Sequence, residues 1–87
     1  MVKVKYAAHV KAGEIVGMSF GAEIGSQWAL VEKVEDLGEH VAITVKMQKR
    51  FTNRPVITKK VKKEKRLNTQ SFEEFMKWCK MYNLDTY

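Results

Sequence analysis

Apolar and polar residues alternate along the first two thirds of the chain, which is the pattern of half-buried β-strands. The clearest case is HVAITVKMQKRF, residues 40–51, in which every second residue from Val41 to Met47 is apolar. Three earlier segments show the same period of two, with glycine-containing turns between them. The expected apolar faces carry Val2, Val4, Tyr6, Ala8 and Val10 in the first strand, Val16, Met18 and Phe20 in the second, Trp28, Leu30 and Val34 in the third, and Val41, Ile43, Val45 and Met47 in the fourth.

A fifth strand is predicted after TNRP, residues 52–55, because Asn and Pro are typical of a reverse turn. It would comprise VITKKVKKEKRL, residues 56–67. Short strands at a spacing of roughly ten residues favour an antiparallel arrangement. We therefore expect residues 1–67 to form a five-strand meander, either a small curled sheet or a barrel.

The segment SFEEFMKWCKMYNL, residues 71–84, has the period of an amphipathic helix. Ser71 and Glu74 are spaced as a capping box at its start. One stripe at helical spacing would cover the sheet, and it comprises Phe72, Phe75, Met76, Cys79 and Tyr82. These elements predict a single α+β domain over residues 1–87, an antiparallel meander with one packed C-terminal helix.

The net charge of +6 is concentrated in one segment of the chain. From Lys46 to Arg66 there are ten Lys or Arg residues and one acid, Glu64, which gives +9. The other 66 residues carry six basic and nine acidic groups, which gives −3. Within the segment, TKKVKKEKR, residues 58–66, places lysine at odd and even positions, so that a strand here is charged on both faces. We expect such a ribbon to protrude as a basic β-hairpin or to line an open groove.

A basic hairpin of this kind is a candidate nucleic-acid-binding surface. One or two lysines on an edge strand suffice to prevent aggregation, whereas ten cations repel one another unless a partner offsets the charge. Lysine outnumbers arginine in the segment by seven to three, which favours contacts with phosphates over base recognition. A merely solvated face and an acidic partner protein are the alternatives. The predicted contact residues are Lys46, Lys49, Arg50, Phe51, Arg54, Lys59, Lys60, Lys62, Lys63, Lys65 and Arg66.

Two aromatic residues have alternative roles. Phe51, near the hairpin tip, would either stack on a base or pack against the hairpin itself. Trp78 flanks the apolar stripe of the helix and Met81 lies opposite it, so that the helix is apolar over more than half of its circumference. This breadth favours a homodimer. Trp78 would extend the core, lie in the dimer interface or stack on a base, and the first two roles are favoured.

No motif in the sequence indicates an enzyme, a cofactor or a metal centre. His9 and His40 are the candidates for acid–base chemistry near neutral pH, and a two-histidine ribonuclease would need both in one cleft. Cys79 falls in the apolar stripe and is expected to be a small core residue. One cysteine forms no intrachain disulfide, and no apolar run is long enough to span a membrane, so we expect a cytoplasmic protein.

The compact β body, the KKVKKEKR segment and the capped SFEEFMKWCKMY helix together resemble the small basic accessory proteins of large bacteriophages. Some of these proteins inhibit an RNase toxin of host defence by engaging it together with RNA. The resemblance implies RNA in preference to DNA, a regulatory or counter-defence role in the host cytoplasm, and a host protein as a further partner. It is one of size, charge and layout, and it transfers no site residues.

Overall fold

The computed structural model describes residues 2–49 and 56–87. In this part of the chain, six antiparallel strands form one sheet, in the order β1-β6-β2-β3-β4-β5, and a single α-helix packs on it. The elements are β1 (Lys3–Tyr6), β2 (Glu14–Ser19), β3 (Ser26–Asp36), β4 (His40–Lys46), β5 (Val56–Lys62), β6 (Arg66–Ser71) and α1 (Phe72–Met81), with a short 3-10 helix at Ala7–His9. The predicted α+β class is confirmed, although the described residues contain six strands where five were expected.

The sheet is strongly curled. β5 and β6 follow each other in the chain, but they lie near opposite edges of the sheet. β5 pairs with β4 at one edge, whereas β6 lies between β1 and β2 near the other edge. Residues 63–65 join them, and three residues span at most about 14 Å between the flanking Cα atoms. The N–H groups of Ala7 and Ala8 donate to the carbonyl oxygens of Lys65 (2.7 Å) and Lys63 (3.1 Å), which holds the 3-10 helix across this corner. In the described residues the two edges approach each other without pairing into a closed barrel.

Two apolar cores lie on opposite sides of the sheet. The inner core fills the concave side, and it comprises Ala7, Val10, Val16, Met18, Ala29, Val31, Val41, Ile43, Val45, Met47, Val61 and Leu67. The outer core lies between the sheet and α1, and it comprises Ile15, Phe75 and Cys79, with Trp28, Leu30, Phe72 and Tyr87 packed against them. The apolar faces predicted for the second and fourth strands are therefore confirmed, because every residue assigned to them belongs to the inner core or packs against it.

β3 changes its surroundings halfway along. The register between β3 and β4 shifts between Val31 and Lys33, which makes Glu32 the extra residue of a β-bulge. Val31 and Val34 consequently both reach the inner core although they are three positions apart. Before the bulge, the outer side of β3 lies under α1, and after the bulge it is exposed.

The prediction for the first strand is wrong in its length and in its buried face. β1 ends at Tyr6, and Val4 and Tyr6 are 63% and 43% exposed. The 3-10 helix that follows changes the phase of the chain, so that Ala7 enters the inner core in place of Ala8, together with the predicted Val10. One regular alternation in the sequence thus covers two different local structures.

The predicted fifth strand is in fact two strands, β5 and β6. The sequence of β6, RLNTQS, is largely polar and shows no strong strand pattern. It is nevertheless an inner strand that pairs with both β1 and β2, and it buries Leu67 and Thr69. Its position depends on its neighbours, which explains why local sequence did not indicate it.

The helix forms as its capping residues predict but ends earlier than residue 84. The Ser71 hydroxyl accepts a hydrogen bond from the Glu74 N–H (3.1 Å), which caps the first turn. Phe75 and Cys79 of the predicted stripe are buried. α1 ends at Met81, and Asn83 adopts a left-handed backbone with φ of 56°, a conformation that asparagine tolerates. The later residues leave the helix and return towards the sheet.

Candidate nucleic-acid interface

Within the described residues, β5 is an edge strand of the sheet. It pairs with β4 along its whole length, Val61 is buried, and Ile57 packs against the inner core. Lys59 faces the same side, but its Nζ reaches the rim and donates to the Ser19 carbonyl oxygen (2.5 Å). β5 therefore packs on the body where a protruding ribbon was one of the two expectations, because a long aliphatic stem carries the charge of Lys59 out of the core.

The outer side of β4 and β5 carries a flat basic surface, which we call the lysine face. It comprises Lys33, Lys46, Lys60 and Lys62, with the small residues Ala42, Thr44 and Thr58 between them. The hydroxyls of Thr44 and Thr58 lie 2.9 Å apart across the strand pair. All four lysines are exposed. α1 packs on the same side of the described sheet but does not extend over this part of it. A large ligand can therefore approach the sheet between the lysines.

The positive charge of the lysine face is largely uncompensated. Among the described residues, no carboxylate forms an ion pair with any of the four lysines. Glu35, the cross-strand neighbour of Ala42, also lies on this face. Lysines outnumber acidic residues here, and repulsion among the lysines favours binding of an anion.

Two other predicted contact residues are paired with carboxylates. The Nζ of Lys63 lies 2.8 Å from Asp36, and this hydrogen bond, aided by the Gly38 N–H, lowers the pKa of the Asp36 carboxyl. The Nζ of Lys49 lies 3.0 Å from Asp85. Exposed ion pairs of this kind contribute little to stability. Both lysines can therefore exchange their carboxylate for another anion at low cost.

A second basic surface lies where the two ends of the curled sheet face each other. This seam cleft has a volume of about 480 Å³. The β5–β6 corner contributes three cations to it, and β2 and β3 contribute glycine, serine, glutamine and tryptophan. The lining residues are Val4, Gly17, Met18, Ser19, Ser26, Gln27, Trp28, Lys59, Lys65, Arg66, Leu67 and Asn68. The seam cleft thus combines cations, polar groups and an aromatic ring.

Trp28 is held rigidly between the outer core and the seam cleft. Its ring centroid lies 6.4 Å from that of Phe75, which anchors it under α1. The opposite part of the indole lies against Gly17, where an added Cβ atom would sit 3.4 and 3.6 Å from two ring carbons. Gly17 and Trp28 both line the seam cleft.

A shallower depression of about 400 Å³ lies beside the lysine face. It is lined by His40, Lys60, Val61, Lys62, Glu64 and Lys65. Lys65 lines both this depression and the seam cleft. Beyond it, the Arg66 guanidinium lies over the Tyr6 ring, 5.7 Å from the centroid, which fixes that cation at the far rim.

The structure brings together most of the predicted contact residues. Lys46, Lys60 and Lys62 lie on the lysine face, whereas Lys59, Lys65 and Arg66 line the seam cleft. Arg50, Phe51 and Arg54 lie outside the described residues. The sequence prediction therefore located the charge correctly along the chain but did not divide it between two surfaces.

Lys33 and Trp28 were not predicted as contact residues. Lys33 lies outside the basic segment and joins the lysine face only because β3 pairs with β4 after the bulge. Trp28 was assigned to the core, but it and its cross-strand partner Gly17 also line the seam cleft. A large aromatic residue opposite a glycine is a recognisable signal only when the strand register is known.

The two histidines lie in different elements of the structure. His9 lies in the 3-10 helix with its ring against Tyr6 (centroids 6.1 Å apart), and His40 begins β4 as the cross-strand neighbour of Lys62. The seam cleft contains neither histidine. Within residues 2–49 and 56–87 there is no cluster of three His, Cys, Asp or Glu side chains that could hold a metal ion. Cys79 is buried, as predicted.

Within the same two ranges, no helix is both long and apolar enough to cross a membrane. Comparison with known proteins identifies no relative. The chain matches no protein-family model, no curated protein and no solved structure.

Proposed function

We propose that this protein is a non-enzymatic nucleic-acid-binding protein that prefers single-stranded RNA. The observation that carries this proposal is the lysine face, where four exposed lysines, none of them paired with a described carboxylate, surround small side chains on a part of the outer side that α1 does not cover. Polyanion binding offsets the repulsion among these lysines and releases counterions from the nucleic acid. The protein would hold the phosphate backbone, because a lysine ammonium is a point charge with no geometric preference for a base edge.

The shape of the basic surface favours a flexible strand over a duplex. The surface follows the curl of the sheet from the lysine face through Lys65 into the seam cleft. Double-stranded DNA has a persistence length of about 150 base pairs, so that bending it around a body only 40 Å long is costly. A single strand follows such a path without that cost, and it exposes its bases to side chains as well.

A homodimer stays a prediction, and the structure offers a surface for it. At the end of α1, Trp78, Met81 and Tyr82 are 50%, 70% and 60% exposed. The rings of Trp78 and Tyr82 lie together, with centroids 5.0 Å apart. This apolar patch is on the helix, apart from the lysine face, so that a second copy docked there leaves RNA binding open. Sedimentation equilibrium would measure the association.

The counter-defence role in a phage-infected cell also stays a prediction, supported by the resemblance of the chain to small basic phage proteins. RNA binding is compatible with inhibition of an RNase toxin, since a toxin and an inhibitor can share an RNA ligand. An acidic host protein is the alternative partner for the lysine face.

The proposal is tested by fluorescence anisotropy of labelled single-stranded RNA, double-stranded RNA and double-stranded DNA at several salt concentrations. If about five phosphates are neutralised, log K on single strands should fall with log salt at a slope of about −3.5. Single-stranded RNA should bind most tightly.

Two variants with the same change in net charge make this test specific. One replaces Lys33, Lys46, Lys60 and Lys62 by glutamine. The control replaces Lys3, Lys11, Lys77 and Lys80, which are exposed elsewhere on the described surface. The first variant should lose at least about tenfold in affinity, with a slope shallower by roughly 2 to 3, whereas the control should change little. Equal effects of both variants would contradict a localised site. Weak binding of every nucleic acid at low salt would overturn the proposal and favour the acidic protein partner.

A further inference from the structure

We propose that the seam cleft binds one unstacked base of the single-stranded RNA whose phosphates lie on the lysine face. The base would lie beside Trp28, and the neighbouring phosphates would contact Lys65 and Arg66. This inference rests on the proposed function and adds to it a base-binding site on a different surface of the protein.

The size and composition of the seam cleft fit a nucleobase. Its volume of about 480 Å³ is within the usual range for small-molecule sites. Asn68 and Ser26 supply amide and hydroxyl groups that can hydrogen-bond to base edges, and Trp28 supplies an aromatic surface. Every base has an aromatic face, so stacking of this kind does not require a particular sequence.

Gly17 and Trp28 are cross-strand neighbours in the wall of the seam cleft. A glycine within a strand weakens it and commonly marks a close approach of another molecule. Neither the backbone nor the neighbouring atoms require glycine here. Its φ is not positive, and an added Cβ would make ordinary contacts with Trp28 at 3.4 Å and with Asn68 at 3.8 Å. The backbone therefore accepts alanine at Gly17, and a larger side chain would meet the Trp28 ring at the wall of the seam cleft.

The cations at the rim are arranged for phosphates on either side of a bound base. Lys59 is held by its hydrogen bond to Ser19, and Arg66 is held over the Tyr6 ring. Lys65 lines both the seam cleft and the depression that leads to the lysine face. A strand that leaves the lysine face past Lys65 therefore enters the seam cleft directly.

The experiment uses Trp28 as its own reporter. The chain has two tryptophans, so that the Trp78→Phe variant leaves Trp28 as the single indole. A short oligouridine and an oligomer of the same length with abasic nucleotides carry the same phosphates. Oligouridine should quench Trp28 fluorescence and bind roughly fivefold to a hundredfold more tightly than the abasic oligomer, because stacking acts only when a base is present.

Two substitutions fill the seam cleft without changing its charge. In the Trp78→Phe background, Gly17→Val should abolish both the quenching and the preference for bases, while the salt slope stays the same. Gly17→Ala should have an intermediate effect, and it provides the test if the valine variant does not fold. Melting temperatures identify any loss of folding.

The possible outcomes separate this inference from the proposed function. Equal affinity for both oligomers, with a steep salt slope, overturns the base site and leaves backbone binding intact. A base preference that survives Gly17→Val together with Gly17→Ala places the base elsewhere and also overturns the inference. Failure of both oligomers to bind at low salt overturns the two proposals together.

Discussion

The outer side of the sheet differs sharply between the part beneath α1 and the lysine face. Beneath the helix, Ile15 is fully buried and packs with Phe75 and Cys79. On the lysine face, Lys60 and Lys62 lie in the open. The inner side of the same sheet is apolar in both regions, since branched aliphatic residues of β2 and β4 fill one core. The two regions therefore share one sheet and one inner core. The side chains on the outer side decide which part α1 covers and which part is open to a ligand.

β3 belongs to both regions, and its bulge marks the border. Trp28 and Leu30, before Glu32, pack against the outer core, whereas Lys33 and Glu35, after it, are exposed. Large apolar side chains appear where a helix covers the strand, and charged ones appear where no described element does. In β3, one extra residue thus separates the surface that packs under α1 from the surface that we propose binds a ligand.

The largest expected difference between the regions is in stability. Phe75→Ala should lower the free energy of unfolding by about 3–5 kcal/mol, because the residue is 2% exposed and its removal leaves a cavity under α1. Thr44→Ala on the lysine face should cost less than about 1 kcal/mol, since it removes one hydroxyl contact with Thr58. Urea unfolding measures both.

If Phe75→Ala does not fold, Phe75→Leu tests the same packing with a smaller expected loss of stability. Phe75→Leu keeps an apolar side chain of comparable size and should cost less than about 2 kcal/mol. Equal losses of unfolding free energy for Phe75→Ala and Thr44→Ala would contradict the view that α1 stabilises the sheet by covering its outer side.

Local sequence signals were sufficient to predict β4 and the start of α1. The alternation in β4 and the capping residues of α1 act over a few residues, and both gave correct structures. They could not predict the first turn after β1, where the 3-10 helix moves Ala7 into the core. They also missed β6, whose Leu67 and Thr69 are buried only because strands flank it on both sides.

The candidate site was predictable in its charge but not in its geometry. The cluster of lysines between residues 46 and 66 is visible in the sequence without any structure. Its division into two surfaces depends on the turn at residues 63–65 and on the path of Lys59 to Ser19. The pairing of Gly17 with Trp28 is a property of strand register, which joins residues far apart in sequence. Long-range pairing of this kind leaves no local pattern.

At the border between the two regions, a substitution of Tyr87 should have a smaller effect on stability, and this effect should depend on pH. The Tyr87 hydroxyl accepts a hydrogen bond from the Leu30 N–H (2.9 Å) and donates one to the Lys46 carbonyl oxygen (2.8 Å), so that it links β3 to β4 near the bulge. Tyr87→Phe leaves both backbone groups without this partner and should cost about 1–2 kcal/mol at pH 8.

Burial raises the pKa of Tyr87 to about 12, from an ordinary value of 10. The folded state therefore favours the neutral phenol. Its contribution to stability is complete below pH 10 and declines as the pH rises from 10 towards 12. The difference in unfolding free energy between the native protein and Tyr87→Phe should narrow over that interval, and lysine titration is common to both proteins. A difference that is constant with pH would contradict the buried phenol.

The smallest expected effect concerns a single lysine, and it tests whether the bulge brings β3 into the binding surface. Lys33→Gln should leave the unfolding free energy within about 0.5 kcal/mol of the native value, because the side chain is exposed and no described carboxylate pairs with it. If Lys33 contacts a phosphate, the salt slope on single-stranded RNA should become shallower by about 0.7. Lys11→Gln changes the net charge equally at an exposed position between β1 and β2, and it should leave the slope unchanged. A shallower slope for both variants would indicate that only the overall charge matters, whereas no change for Lys33→Gln would confine the binding surface to β4 and β5.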